Sequence, residues 1–173
     1  NAGVKEGQAT TTGYMLFKRF NRSISKTSPG VASQNRPSII FRLADFYLIY
    51  AEVANEVNPS DSRVLTYLNL VRERAGLPKV EILNPGIVGN KELQRAAIQR
   101  ERQIELATEG QRYFDVRRWM IADKDGEGRQ NGYAHGMNVR GTINDTEEFN
   151  RVVETEKIVF NRKMYLQPIP DHE

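Results

Sequence analysis

Two stretches of apolar residues at helical spacing, separated by a very short break, constrain this chain more than any other feature. In the first stretch, apolar side chains recur three and four positions apart, at Leu43, Phe46, Tyr47, Tyr50, Ala51, Ala54 and Val57. The second has the same spacing, at Val64, Leu65, Leu68, Val71 and Ala75. Each pattern predicts an amphipathic helix. Because the break is so short, the two helices must lie antiparallel.

Local signals indicate where these two helices end. Asn58, Pro59 and Ser60 interrupt the first helix, Ser60 or Asp61 can cap the second, and Gly76 stops it. The pair resembles one tetratricopeptide-type unit, which cannot bury both of its faces alone. We therefore expect some apolar surface to stay open and to favour self-association or contact with another chain.

Two further helices are predicted later in the chain. One runs from Lys91 to about Glu109, with Asn90 as its cap and Gly110 as its end. The other lies within residues 111–122, where one side carries Tyr113, Val116, Trp119 and Met120. Because Trp119 shares this side, packing against other helices explains it better than a role as a sugar-stacking platform.

The predicted fold is therefore mainly α, with a tetratricopeptide-like helix pair, two further helices and long irregular loops. Residues 37–122 form the helical core, preceded by a loop-rich segment at residues 1–36. Residues 123–156 are a polar, glycine-rich loop insertion. Residues 157–173 form a minor β-hairpin around Asn161 and Arg162, followed by an extended tail.

The composition argues against several functional classes. The 25 Lys and Arg residues are set against 22 Asp and Glu, so the net charge of +3 gives no strong field for nucleic acid. No run of about eighteen apolar residues is present to span a bilayer. With no cysteine, these residues hold no disulfide or thiolate metal site.

No residue pattern in the sequence is typical of catalysis. The two histidines, His135 and His172, do not follow a glutamate at the Glu-x-x-His spacing of di-iron bundles. Nucleophile elbows and glycine-rich phosphate loops are also missing from the sequence. We therefore expect a protein that is not an enzyme and that needs no metal or cofactor.

A row of glutamates on the third predicted helix requires cationic partners. Glu101, Glu105 and Glu109 are four residues apart, and like charges at this spacing destabilise a helix by about 0.2 to 0.5 kcal/mol per pair. A partly buried ion-pair network between helices is expected, and a metal or acid–base site is the alternative. The proposed partners are Arg42, Arg72, Arg74, Arg112, Arg117 and Arg118.

The glycine-rich insertion contains the side chains that are best suited to meet a ligand. Aromatic and amide groups in such a loop can face solvent, and the residues concerned are Asn131, Tyr133, His135 and Asn138. An ordinary exposed loop is the alternative for this segment.

Four sequence blocks occur in an order and spacing that resemble the SusD/RagB family. They are FRLADFYLIYAE at residues 41–52, LNLVRERAGL at 68–77, RERQIELATEGQRYFDVRRW at 100–119 and YLQPIP at 165–170. The resemblance covers residues 14–173, and residues 13–19 fit the segment that precedes these blocks in the family. One block would be modest evidence, whereas four in the right order make chance agreement very improbable.

The resemblance implies a surface-exposed lipoprotein of the outer membrane in Bacteroidetes-type bacteria. Such a starch-utilisation-system D-like protein binds oligosaccharides or other nutrients without catalysis, as the partner of a SusC-like, TonB-dependent channel. The family's N-terminal helical repeats and lipidated cysteine are not found here, so we expect this chain to be a C-terminal part. The alternatives are a helical-repeat interaction scaffold and an accessory domain of a glycan-degrading enzyme.

Overall fold

The computed structural model describes Leu16, Lys18 and residues 39–124, 132–137 and 151–166. The chain divides into two compact units, Pro37–Trp119 and a second made of Asn1–Arg36 with Met120–Glu173. The first unit holds five helices: α1 Leu43–Val57, α2 Ser62–Arg74, α3 Val80–Leu83, α4 Lys91–Glu105 and α5 Gln111–Arg118. A 3-10 turn, Pro85–Ile87, lies between α3 and α4. The mainly α fold class is confirmed.

Side-chain caps start α2 and α4 at the positions that the sequence indicates. The Asp61 carboxylate accepts a hydrogen bond from the Arg63 amide, at 2.9 Å, and the Asn90 side chain accepts one from the Leu93 amide, at 3.1 Å. Each cap satisfies an amide that has no partner inside its helix. Gly76, with a φ of 77°, turns the chain away after α2.

The helices α4 and α5 end earlier than their periodicity predicts. The structure ends α4 at Glu105 instead of about Glu109, and α5 at Arg118 instead of Ala122. In the turn after α4, Thr108 has a φ of 67°, and after α5 Met120 has a φ of 54°. A left-handed backbone interrupts helical hydrogen bonding, and residues of these types adopt it rarely. Neither Thr108 nor Met120 is therefore a residue type that predicts the end of a helix.

The core of the helical unit lies between α1, α2 and α4. Its fully buried side chains are Leu48 and Ala51 of α1, Val64, Leu68 and Val71 of α2, and Ile98 of α4. The predicted inner face of α2 is confirmed at Val64, Leu68 and Val71, whereas Leu65 is half-buried and Ala75, which follows the helix, is exposed. Val80 and Ile87, in the connection between α2 and α4, complete this cluster.

The face of α1 that packs on the core is not the one that its strongest apolar pattern predicts. The helix buries Ala44, Leu48, Ala51 and Asn55, whereas most of the large apolar residues of the predicted stripe are exposed. Apolar side chains surround most of α1, so periodicity alone did not determine which side faces inward. Packing against α2 and α4 determines which side of α1 faces the core. The predicted inner side of α1 was therefore wrong.

Two buried amides join the C-terminal half of α1 to the first turns of α4. Gln94 donates from Nε2 to Asn55 Oδ1 and to the Pro59 carbonyl, both at 2.8 Å, and Asn55 donates to the Lys91 carbonyl at 3.0 Å. Gln94 and Asn55 are each only 1% exposed. Their polar atoms are hydrogen-bonded, as burial requires.

The second unit contains a two-stranded antiparallel sheet. Its strands are β1 Gly132–Met137 and β2 Arg151–Ile158, and the register shifts between Tyr133 and His135. The prediction of a loop over residues 123–156 is therefore wrong at Gly132–Met137 and at residues 151–156. The predicted hairpin around Asn161 and Arg162 is not observed, because β2 ends at Ile158 and Arg162–Tyr165 form a 3-10 turn.

A tyrosine fixes this 3-10 turn. Tyr165 donates from its hydroxyl to Asp123 Oδ1 at 2.6 Å and accepts a hydrogen bond from the Asp123 amide at 3.1 Å. The bond from Tyr165 favours the ionised carboxylate, which lowers the pKa of Asp123. The buried Phe160 ring packs edge-on against Tyr165, with ring centroids 5.0 Å apart.

We predict that Gln94→Leu lowers the free energy of unfolding by about 1 to 3 kcal/mol, because it removes the donor to the buried Asn55 Oδ1 and to the carbonyl of the half-buried Pro59. Chemical denaturation followed by circular dichroism measures the change. The matched control is Gln103→Leu, the same substitution at an exposed position of the same helix. Equal stability of the two variants would show that the buried amide pair is unimportant.

Candidate functional site

The guanidinium of Arg102 lies buried between three helices. Its Nε and Nη2 donate to the two carboxylate oxygens of Asp115, at 3.0 and 3.1 Å, and its Nη1 donates to Asp45 Oδ1 at 2.8 Å. Arg102 belongs to α4, Asp45 to α1 and Asp115 to α5. All three are at most 5% exposed. One arginine thus connects three helices by charged hydrogen bonds.

Arg118 extends this connection along α5. It donates to Asp115 at 2.9 Å and to both carboxylate oxygens of Glu52 on α1. Burial opposes the charge of Arg118, but the hydrogen bond and charge of Glu52 outweigh it, so the pKa of Arg118 is raised. Trp119 donates from its indole nitrogen to Glu52 at 2.6 Å, and Arg118 lies 4.6 Å from the centroid of the indole ring.

The glutamate row lies on α4 at Glu101 and Glu105 and in the turn after it at Glu109. Its partners are arginines from α2 and from the residue before α1. Arg42 binds Glu105, and its Nε donates to Glu109 at 2.7 Å. The Nη2 of Arg42 donates to the Glu105 carbonyl, one of the carbonyls that the end of α4 leaves unpaired. Arg72 donates to Glu101 at 2.8 Å, and Arg74 also reaches Glu105.

Burial and pairing act in opposite directions on Arg42. Its burial disfavours the cation, whereas the hydrogen bonds to Glu109 and Glu105 favour it and prevail, so the pKa of Arg42 is raised.

A more exposed cluster, formed by Glu56, Lys91 and Arg95, lies at the other end of α1. There the hydrogen bond from Arg95, together with Lys91, lowers the pKa of Glu56 to about 2.

Two of the arginines that the sequence suggested have aromatic neighbours. The Arg117 guanidinium lies 3.5 Å from the centroid of the Tyr113 ring and donates to the Tyr113 carbonyl at 2.9 Å. Arg112 lies 5.9 Å from the centroid of the Trp119 ring. The remaining predicted members, Arg42, Arg72, Glu101, Glu105, Glu109 and Arg118, all take part in ion pairs. Their contribution to stability stays a prediction.

Sequence reasoning missed the centre of the network. Arg102, Asp45 and Asp115 were not among the predicted members, and neither was Glu52. One signal was available: Asp45 interrupts the apolar circumference of α1, and an acid in such a place needs a cation when the helix is buried. Arg102 follows Glu101 directly and lies about 100° around the helix from it, so the four-residue spacing of the glutamate row did not indicate Arg102.

The predicted ligand-binding residues lie apart from this network in the sequence. Tyr133 and His135 belong to β1, and Asn131 and Asn138 lie outside the described residues. Their role in ligand binding stays a prediction.

The network joins the helices by charged hydrogen bonds. Within the part of the chain that the structure describes, each buried side-chain nitrogen and oxygen has a hydrogen-bond partner. The same described ranges contain no group of three or more His, Asp or Glu residues placed to hold a metal ion. The carboxylates accept hydrogen bonds from arginine, and this arrangement favours a structural role over an acid–base role.

Comparison with protein families identifies the chain. The model described as the SusD family matches residues 1–173. The chain belongs to the SusD family. This result confirms the family that the four sequence blocks suggested. Those blocks include the first ten residues of α1, the end of α2, and the segment from Arg100 to Trp119 that carries Arg102 and Asp115.

Individual SusD-like proteins are similar to parts of this chain. SusD-like protein P25 of Formosa agariphila is 44% identical over 106 residues, which are 61% of this chain and 19% of that protein. SusD-like protein P2 of the same organism is 36% identical over 90 residues, 50% of this chain and 17% of that protein. A SusD-like protein of Bacteroides ovatus is 36% identical over 93 residues, 51% of this chain and 15% of that protein.

A solved structure shares the fold. The structure of selenomethionine BT4246 superposes with a TM-score of 0.61 and is 34% identical, covering 79% of this chain and 22% of that chain. The present chain thus spans about a fifth of the length of the relatives that it matches.

We predict that Arg102→Met lowers the free energy of unfolding by about 3 to 5 kcal/mol, because it leaves Asp45 and Asp115 buried without their shared cation. Thermal and denaturant unfolding measure the effect. Arg100→Met is the matched control, since Arg100 is exposed on the same helix. If both variants unfold at the wild-type midpoint, Arg102 does not hold the helices together.

Proposed function

We propose that this chain is part of a cell-surface protein that binds glycans or other nutrients without transforming them. The observation that carries the proposal is the match of the SusD family to the entire chain. Binding of oligosaccharides or peptides at the outer membrane is what the family resemblance implies. The proposed partner is a SusC-like, TonB-dependent channel, and a lipid anchor outside these residues would hold the protein at the membrane.

We also propose that residues 1–173 are the C-terminal SusD-like domain of a longer protein. The short share of each relative that the chain covers supports this proposal. Within this domain, we assign residues 1–36 to a loop-rich lead segment, 37–122 to a helical core, 123–156 to an insertion and 157–173 to the tail. Among the described residues, none of the helices is both long and apolar enough to cross a membrane.

The chemistry of the helical unit supports binding over catalysis. A glycan hydrolase needs two carboxyl groups that flank a sugar bond, with access to water. The buried Asp45, Asp115 and Glu101 instead accept hydrogen bonds from arginines. A carboxylate that is buried and paired in this way is poorly placed to protonate a leaving group or to activate water.

The proposed ligand-binding segment is residues 131–138. The four predicted residues combine an aromatic ring, an imidazole and two amides, which are groups that stack on sugars and hydrogen-bond to their hydroxyls. β1 covers Gly132–Met137 of this segment. A scaffold that binds another protein is the second candidate, and the exposed apolar side of α1 favours it.

We predict that the longer protein retains oligosaccharides on a glycan array and that Tyr133→Ala weakens this binding by about tenfold, or ~1.4 kcal/mol. Calorimetry with a retained oligosaccharide measures the change. Phe114→Ala is the control, because this exposed aromatic residue belongs to the helical unit. The 173-residue chain alone should bind more weakly, since such pockets combine several structural elements.

Two results would contradict the proposed function. An array that retains no oligosaccharide, together with capture of a protein partner, would favour the scaffold. New reducing ends after incubation with oligosaccharides would show that the protein is an enzyme.

A further inference from the structure

The turn between α4 and α5 contains two residues with a left-handed backbone. Thr108 has a φ of 67° and Gly110 a φ of 84°. Glycine adopts this conformation without steric cost, because it has no Cβ. Threonine is β-branched, and a β-branched residue at positive φ is a genuine outlier. The turn of residues 106–110 therefore carries backbone strain at Thr108 but not at Gly110.

The strain at Thr108 must be offset by contacts of its neighbours. The side chain of Thr108 is exposed, so its own burial does not stabilise the turn. Strained backbone persists only where the surrounding structure fixes it. In this turn Leu106 is buried, and the Glu109 amide donates to the Leu106 carbonyl at 3.1 Å. These two contacts are made by residues on either side of Thr108.

The guanidinium of Arg42 also contacts the chain on both sides of Thr108. Before it, Nη1 donates to the Glu105 carboxylate and Nη2 to the Glu105 carbonyl. After it, Nε donates to the Glu109 carboxylate at 2.7 Å. The side chains of Glu105 and Glu109 are only 11% and 10% exposed, so water and salt screen these contacts less than they screen a surface ion pair. Because the guanidinium is planar and rigid, it fixes residues 105 and 109 relative to each other.

We propose that Arg42 holds the turn of residues 106–110 closed against the strain at Thr108, and that the turn opens locally when Arg42 is released. In the open turn, Thr108 returns to a negative φ and the Glu109 amide loses its bond to Leu106. The opening is a local event that precedes unfolding of the helical unit.

The closed turn matters because of what it joins. It connects α4, which carries Arg102, to α5, which carries Asp115, and it directs α5 so that these two residues pair. Arg42 makes its own contacts with Glu105 and Glu109. It is therefore a positioning residue for the buried network, and it acts through the turn.

Two substitutions of Thr108 test the strain while Arg42 stays in place. Asparagine enters the left-handed region several-fold more readily than other residues, so Thr108→Asn relieves the strain. Thr108→Val keeps the β-branch and is the matched control. Hydrogen exchange at the Glu109 amide, corrected for the intrinsic rate of each sequence, measures the opening. Thr108→Asn should exchange about fivefold more slowly than Thr108→Val.

Substitution of Arg42 tests the contacts that hold the turn. Arg42→Met should speed exchange at the Glu109 amide by about tenfold or more, since it removes charged hydrogen bonds on both sides of the strained residue. Arg74→Met is the matched control: it takes a cation from Glu105 and leaves the contacts of Arg42 with the Glu105 carbonyl and with Glu109 in place. It should speed exchange by less than about twofold.

The location of the effect separates local opening from a general loss of stability. In Arg42→Met, the amide of Ile98, in the middle of α4, should be much less affected than that of Glu109. Addition of Thr108→Asn to Arg42→Met should slow exchange at Glu109 again, by about fivefold. Glycan binding plays no part in these measurements, so their outcome is independent of the proposed function.

Three results would overturn the inference. Equal exchange in Thr108→Asn and Thr108→Val would show that no strain is stored at this position, and this comparison holds even if Arg42→Met does not fold. Equal acceleration at Glu109 and Ile98 in Arg42→Met would show that the helical unit opens as a whole. An effect of Arg74→Met as large as that of Arg42→Met would show that charge near Glu105 is sufficient.

Discussion

The buried guanidinium of Arg102 fixes the positions of three helices at once. Transfer of one charge from water into a protein interior costs several kcal/mol, and only close pairing recovers this cost. Asp45 and Asp115 provide that pairing from α1 and α5. Because charged hydrogen bonds require good geometry, a shift of either helix would leave a buried charge incompletely paired. The network therefore restricts how α1, α4 and α5 can be arranged.

Directional polar contacts also join α1 to α4 at both ends of this helix pair. At one end, the amides of Asn55 and Gln94 bind each other, and at the other end Asp45 binds Arg102. Apolar side chains, including Leu48 and Ile98, fill the space between these ends. Hydrophobic burial favours association of the two helices but is not directional. The polar contacts at both ends are directional, and they select one register.

The sequence predicted local structure well where local chemistry decides it. The bounds of α1, the cap of α2 at Asp61 and the cap of α4 at Asn90 follow from apolar spacing and side-chain hydrogen bonds to nearby amides. The ends of α4 and α5 depend on left-handed residues, Thr108 and Met120, whose types give no local signal. The strand β1 includes glycines that the sequence assigned to a loop, because pairing with β2 is a distant interaction.

The charged network was less predictable because its ion pairs join residues that are distant in the sequence. The row of glutamates on α4 indicated that arginines would be needed, since repulsion between them is a local property of one helix. The partners of Arg102 lie 57 and 13 residues away in the sequence, and only the packing of α1 and α5 on α4 brings them together. The inner side of α1 was misassigned because that choice also depends on neighbouring helices.

The most direct test of this account is a double-mutant cycle between Asp45 and Arg102. Asp45→Asn, Arg102→Met and the double variant would be compared with the wild-type chain by denaturant unfolding. If the pair holds α1 to α4, the interaction free energy between the two sites should be about 1 to 3 kcal/mol. An interaction free energy within about 0.3 kcal/mol of zero would mean that the two substitutions act independently. That result would contradict the central role assigned to Arg102.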